Sequence, residues 1–127
     1  MKVTSLSGEV KDWKPTGNIV TGSDSRPRSK LHIAARGLIY ELFPTMQIME
    51  EVPIRPLHST LHLDFYVSKI KLAIEVHGKQ HYAFSSLFHA SRQDFFNQKK
   101  RDANKKNWCE INNITYIELP YNEDIDK

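Results

Sequence analysis

The sequence predicts an α/β fold, a central mixed sheet of about four strands flanked by helices, in the order helix, three strands, helix, strand. Three patterns carry this expectation. Leu61-His62-Leu63-Asp64-Phe65-Tyr66-Val67 alternates with the two-residue period of a strand. Leu72-Ala73-Ile74-Glu75-Val76-His77 does the same after the short linker Ser68-Lys69-Ile70. Further on, a long polar segment with helical spacing, Ser91 to Ile111, precedes the strand-like run from Ile114 to Leu119.

Along the chain, residues 1–28 mix Ser, Thr, Gly and Lys with Pro15 and Pro27 and hold no sustained period. They are expected as a flexible N-terminal arm ahead of a single domain spanning 29–127. Trp13 is the residue of that arm suited to docking, while Lys2, Lys11, Lys14, Arg26 and Arg28 suit either solvent or a phosphate backbone. Ser29 is placed to cap a helix. Leu31, Ala34, Ala35, Leu38, Ile39 and Leu42 then recur at helical spacing until Phe43-Pro44 ends a first helix over 30–43. Met46 to Val52 forms a strand that stops before Pro53-Ile54-Arg55-Pro56. The next two strands pair as an antiparallel hairpin, because their linker is too short for a crossover. Gly78 breaks the second of them. The long helix ends at Asn112-Asn113, and the last strand, before Pro120, returns parallel to the Glu75 strand through a right-handed crossover.

At 127 residues there is material for one core and not for two. Lys and Arg number 18 against 15 Asp and Glu, a net charge of +3 that does not by itself identify a nucleic-acid partner. The distribution says more: Lys99, Lys100, Arg101, Lys105 and Lys106 crowd one segment, while Glu123, Asp124 and Asp126 fall near the C-terminus. The lone Cys109 excludes an intrachain disulfide and suits a reducing compartment. No apolar run approaches membrane-spanning length, and Met1 to Val10 lacks the layout of a signal peptide. A soluble, cytoplasmic protein is expected.

Alternation sends Leu61, Leu63, Phe65 and Val67 to one face of the first hairpin strand and His62, Asp64 and Tyr66 to the other. In the second strand Leu72, Ile74 and Val76 oppose Ala73, Glu75 and His77. Asp64, Glu75 and His77 therefore converge on one face. Two carboxylates on adjacent strands make a hard oxygen site suited to Mg²⁺ or Mn²⁺, with the remaining positions taken by water and a substrate phosphate. Such a metal polarises a phosphodiester and acidifies an attacking water. His77 suits either the general base or a further ligand, and the Val76 carbonyl is another candidate ligand. Taken singly, Asp64 and Glu75 are ordinary solvent-facing strand acids; only their shared frame points to chemistry. His77, His81 and His89 with one Cys match structural zinc spacing poorly.

Asp64 followed by Glu75-Val76-His77 resembles the Asp…Glu-x-Lys signature of the restriction-endonuclease-like superfamily, PD-(D/E)XK, in the element order of its common core. The chain is more closely similar to small phage and bacterial nucleases of the very-short-patch repair endonuclease-like branch. The residues that carry this likeness are Asp64-Phe65-Tyr66, Glu75-Val76-His77-Gly78, Gln80-His81-Tyr82, Arg101-Asp102-Ala103-Asn104-Lys105 and Leu119-Pro120-Tyr121, over residues 29–121. The resemblance implies a restriction-endonuclease-like core and a Mg²⁺- or Mn²⁺-dependent DNA endonuclease, acting as monomer or homodimer, with a phage gene in a bacterial host as one setting.

This chain departs from the family pattern at His77, where many members carry Lys and close relatives Asp; histidine occurs there in the repair and homing branch. The first helix of relatives often offers a Glu, a place that His32 or Glu41 could take here. On the long helix Phe95, Gln98, Asp102, Lys105 and Cys109 share one face. Burying Gln98, Asp102 and Lys105 unpaired would cost about 1–3 kcal/mol each, so that face is expected at a polar active-site edge. The alternative reading of Asp102 and Lys105 is a solvated helix pair. Gln80 is a further candidate, holding the turn or touching substrate, and Lys79, His81, Lys99, Lys100, Arg101 and Lys106 are candidate nucleic-acid contacts. A non-catalytic DNA-binding module of the same fold and an RNA-processing nuclease are the competing readings.

Overall fold

A computed structural model describes residues 1–20, 30–76 and 92–119. In chain order they form β1 (Lys2–Thr4), β2 (Val10–Asp12), β3 (Asn18–Ile19), α1 (Lys30–Leu42), β4 (Met49–Ile54), β5 (Leu61–Val67), a 3-10 turn (Ser68–Ile70), β6 (Leu72–Val76), α2 (Arg92–Ile111) and β7 (Thr115–Leu119). The architecture is α/β. A five-stranded mixed sheet runs β3-β4-β5-β6-β7, antiparallel except for the parallel β6–β7 pair, and β1 and β2 form a separate hairpin. The parallel return of the last strand agrees with expectation. Two strands of the hairpin and the edge strand β3 lie in a segment that the sequence pattern assigned to a flexible arm.

That correction has a physical cause. β1 and β2 are three residues each, too short to display a period, and their stability comes from contacts far away in sequence. Val3 is buried, the Thr4 N–H donates to Asn112 Oδ1 at 2.7 Å, and Asn112 Nδ2 donates back to the Thr4 carbonyl at 3.0 Å. Trp13 docks as anticipated, edge-on to Tyr66 and Trp108, with its Nε1 donating to the Pro53 carbonyl. β3 approaches β4 closely enough that a Cβ on Gly17 would fall 2.5 Å from the Glu50 carbonyl oxygen. Glycine is the residue that permits this contact.

Strand β4 extends to Ile54 instead of stopping at Val52. Pro53 is accommodated because β3 pairs only with Met49 and Glu50, which leaves β4 an edge strand on that side at Pro53. The Ser29 cap and the Gly78 strand break lie outside the described residues.

The sheet carries a core on each side. Tyr66, Ala73, Met49, Val52, Ile54 and Leu63 pack with Trp108 and Cys109 of α2. Phe65, Val67, Leu72, Ile74 and Val76 pack with Ala35 and Ile39 of α1. Simple alternation grouped Leu61, Leu63, Phe65 and Val67 together, whereas Leu61 and Leu63 pack in the α2 core and Phe65 and Val67 in the α1 core. The change of side falls at Asp64. Opposite it in register stands Glu51, whose φ of 53° puts a non-glycine residue in the left-handed region and breaks the pleat of β4.

Helix α1 also turns a different face inward from the one its leucines suggested. Among its described side chains His32, Ala35, Arg36 and Ile39 are buried, while Leu38 and Leu42 are exposed. His32 Nε2 and Arg36 Nε both lie within hydrogen-bond reach of Glu50 Oε1, at 2.8 and 2.9 Å, and the His32 ring stacks on Phe65. A buried acid on β4 therefore selects the polar stripe of the helix. At the far end of α2, Asn113 adopts φ 58°, and the N–H groups of Asn113 and Ile114 close on the carbonyls of Glu110 and Cys109. This is the left-handed helix stop that the Asn112-Asn113 pair predicted.

Candidate active site

Strands β5 and β6 are laddered at Val67–Leu72, Tyr66–Ala73 and Phe65–Ile74. At the next step, Asp64 opposite Glu75, side chains take over from backbone. The Asp64 N–H donates to Glu75 Oε2, and the Val76 N–H donates to Asp64 Oδ2 at 2.8 Å. The two carboxylates are thus held reciprocally by the backbone of the partner strand. Where a continued ladder would close the sheet, the strands separate and present acids.

Helix α2 supplies the third group. Lys105 Nζ donates to Glu75 Oε1 at 2.7 Å, with Glu75 1% exposed and the Lys105 side chain 15% exposed. Burial raises the Glu75 carboxyl to about 7, and the neighbouring Asp64 pushes the same way against the opposing pull of Lys105. Beneath this pair burial also raises the Cys109 thiol to about 12, and it lifts the Tyr116 hydroxyl above its ordinary value, with Glu75 adding to both.

A cleft of about 440 Å³ opens beside Asp64. Glu51, Thr60, Leu61, His62 and Asp64 line its strand side; Gln98, Arg101, Asp102 and Lys105 line its α2 side. The polar stripe of α2 therefore does face a polar edge, as its cost of burial required. Arg101 differs from expectation: it was assigned to the outer, phosphate-tracking side of the helix and lines the cleft instead. Lys99, Lys100 and Lys106 are exposed on α2.

The donor set of this cleft suits a hard divalent cation. Asp64 Oδ1 accepts no hydrogen bond among the described residues; Glu75, 1% exposed and not among the residues lining the cleft, is a second carboxylate on the neighbouring strand, with both oxygens accepting protein donors. Among the described residues no group of three or more His, Cys, Asp or Glu is placed to hold a metal ion. A Mg²⁺-type ion, which keeps several waters and takes one or two carboxylates plus phosphate, matches two acids.

Of the other expected site residues, His77, Lys79, Gln80 and His81 lie outside the described residues. Val76 is buried, its N–H committed to Asp64. The two first-helix alternatives separate: His32 is buried against Glu50, and Glu41 is exposed on the outside of α1. Neither lines the cleft. Sequence patterns missed the Glu50 cluster and the strained Glu51. The available signal was two adjacent acids in an otherwise apolar strand, with His32 and Arg36 one helical turn apart.

No protein-family model matches this chain, and no solved structure matches it. Three viral proteins do. Uncharacterized protein 307L of Invertebrate iridescent virus 6 is 46% identical over 61 residues, covering 48% of this chain and 31% of that protein. Uncharacterized protein 033L of Invertebrate iridescent virus 3 is 40% identical over 63 residues, 50% of this chain and 32% of the relative. Uncharacterized protein 094L of Frog virus 3 is 45% identical over 62 residues, 48% and 40% of the two chains. The chain thus spans about a third of the length of the curated relatives it matches. Among the described residues no helix is long and apolar enough to cross a membrane.

Proposed function

We propose that this chain is a divalent-metal-dependent DNA endonuclease on a restriction-endonuclease-like core. One observation carries the reading: Asp64 and Lys105 line one cleft, and the buried carboxylate of Glu75 accepts hydrogen bonds from both the Asp64 N–H and Lys105 Nζ. Asp64 and Glu75 would hold Mg²⁺ or Mn²⁺, which supplies Lewis-acid polarisation of a phosphodiester and an acidified water. Lys105 brings to the same place the ammonium that the motif position of His77 lacks. Its Nζ, paired with Glu75, can offer protons to a non-bridging or leaving oxygen of a phosphate in the cleft. Arg101 on the cleft wall is placed to hold a flanking phosphate, and the exposed Lys99, Lys100 and Lys106 extend the cationic surface along α2.

The test is direct. Plasmid and oligonucleotide DNA are incubated with the protein and Mg²⁺ or Mn²⁺, beside Asp64→Ala and Glu75→Ala. Nicking or cutting by the wild type that both variants lose supports the enzyme. A wild type that cuts nothing, or variants that cut equally well, ends the reading. RNA in a parallel reaction reports an RNA-processing activity.

A second reading, a DNA-binding module without catalysis, draws on the engagement of both Glu75 oxygens by protein donors. It expects salt-sensitive DNA binding with no cleavage under any metal.

A further inference from the structure

Lys105 serves two places at once. Its side chain lines the Asp64 cleft, and its Nζ donates to Glu75 Oε1 at 2.7 Å. Glu75 itself is buried and is not among the residues lining that cleft. Its other oxygen, Oε2, accepts the Asp64 N–H. The two donors differ in what holds them. The Asp64 N–H belongs to a central strand whose next three residues are laddered to β6, and the Asp64 carboxylate is held in turn by the Val76 N–H, so this donor leaves Glu75 only if the strands move. Lys105 Nζ ends a flexible aliphatic stem and leaves by side-chain rotation alone.

We propose that Lys105 is a built-in competitor of the divalent cation: its ammonium holds Glu75 Oε1 until a cation at Asp64 takes that oxygen, and the released Nζ turns into the cleft toward a substrate phosphate. The inference rests on the endonuclease reading and adds a regulation of its site, the exchange of one cation for another on Glu75.

Three observations support it. Asp64 lines the cleft and its Oδ1 accepts no hydrogen bond among the described residues, so an incoming cation meets that carboxylate first. Glu75 is a buried acid whose charge needs a partner, and the ammonium supplies one from the cleft wall. Finally, both Glu75 oxygens are engaged, and Oε1 is the one whose donor is free to move. Two cations on one carboxylate oxygen repel each other strongly away from bulk water, so ammonium and metal hold Oε1 in turn and not together.

The test uses the intact protein without DNA. In a side-chain nitrogen spectrum of protein carrying isotope-labelled lysine, an ammonium bonded to buried Glu75 exchanges slowly with water and stands apart from the exposed Lys99, Lys100 and Lys106. Its absence from Lys105→Arg assigns it. Mg²⁺ is then added while calorimetry reads metal binding. The Lys105 signal is expected to move to the position of the exposed lysines with the midpoint of metal binding. A signal unchanged at saturating Mg²⁺, or no protected signal in EDTA, overturns the exchange and leaves the metal site standing. Calorimetry that detects neither Mg²⁺ nor Mn²⁺ binding overturns the endonuclease reading together with the exchange.

Mn²⁺ affinity gives a second readout. Lys105→Met removes the competitor and is expected to bind Mn²⁺ about ten-fold or more tighter than the wild type. Arg101→Met, which removes an exposed cation of the same cleft wall, should change the affinity by about three-fold or less. Equal gains in the two variants would reduce Lys105 to through-space repulsion and overturn the exchange. If Lys105→Met does not fold, the spectrum of the wild type decides alone.

Discussion

The N–H of Val76 donates to Asp64 Oδ2 at 2.8 Å across the two central strands, one step beyond the last backbone-paired residues. The orientation of the Asp64 carboxylate is therefore set by the main chain of its neighbour. A side-chain carbonyl could accept the same bond, so Asp64→Asn is expected to melt close to the wild type while losing about 100-fold or more of any cleavage activity. Asp64→Ala leaves the Val76 N–H without its acceptor and should cost about 1–3 kcal/mol. Urea unfolding of the two variants beside a plasmid assay separates charge from structure. Equal stability of Asn and Ala would contradict the role given to this bond.

Lys105 and Glu75 form a buried ion pair at 2.7 Å. Removing the cation alone leaves a buried acid uncompensated, so Lys105→Met is expected to destabilise by about 3–5 kcal/mol. Lys105→Met combined with Glu75→Gln should recover much of that loss, since neither charge remains. Both proteins are expected to be inactive. A double-mutant cycle by chemical denaturation reads the coupling, and simple additivity would argue against the pair.

Stability should fall with rising pH in the window set by Glu75. Its carboxyl titrates near 7 in the folded chain against 4.5 unfolded, because it is buried beside Asp64. Between those values the folded state holds more protons than the unfolded one, so unfolding free energy declines as pH rises from about 4.5 to about 7 and levels off above. Glu75→Gln removes this contribution, and its stability profile across that window should be flatter than that of the wild type. Urea midpoints at half-unit pH steps provide the comparison.

Cys109 is buried with its thiol pushed up to about 12, so little thiolate exists near neutrality. The native protein at pH 8 should react with a disulfide reagent only through unfolding, and the reaction should accelerate by orders of magnitude in denaturant. Rapid stoichiometric labelling of folded protein would place Cys109 elsewhere.

Glu51 sits at φ 53°, a conformation that costs a side chain and not glycine. Glu51→Gly is expected to be more stable than Glu51→Ala by about 1 kcal/mol, because both lose the same side chain while glycine alone tolerates the backbone. Thermal denaturation of the two variants settles the sign. Because Glu51 stands opposite Asp64 and lines the cleft, the strain lies where β5 changes sides.

Much of the fold was legible in the sequence. The alternation of 61–67 and 72–76, the short linker between them and the polar helix ending at Asn112-Asn113 are local signals, and each became the expected element. The pairing of Asp64 with Glu75 was legible because a tight antiparallel connection leaves little freedom in register. The N-terminal hairpin was not, since three-residue strands held by Asn112 and Pro56 owe their existence to distant partners. The buried stripe of α1 was misjudged for the same reason: Glu50, on another element, drew His32 and Arg36 inward past the leucines.

Sequence alone determined the order of elements from α1 to β7, the two facing acids and the polar character of the α2 stripe, all of which follow from the periods of three or four residues on a helix and two on a strand. Only the tertiary structure decided that Lys105 completes the acid pair, that Arg101 lines the cleft, and that Trp13 of the N-terminal segment packs on Tyr66 and Trp108. Lys105 lies thirty positions from Glu75 in the chain. Local periodicity reports which way a side chain points from its own element; which element it then meets is set by how the buried faces of all of them are satisfied together.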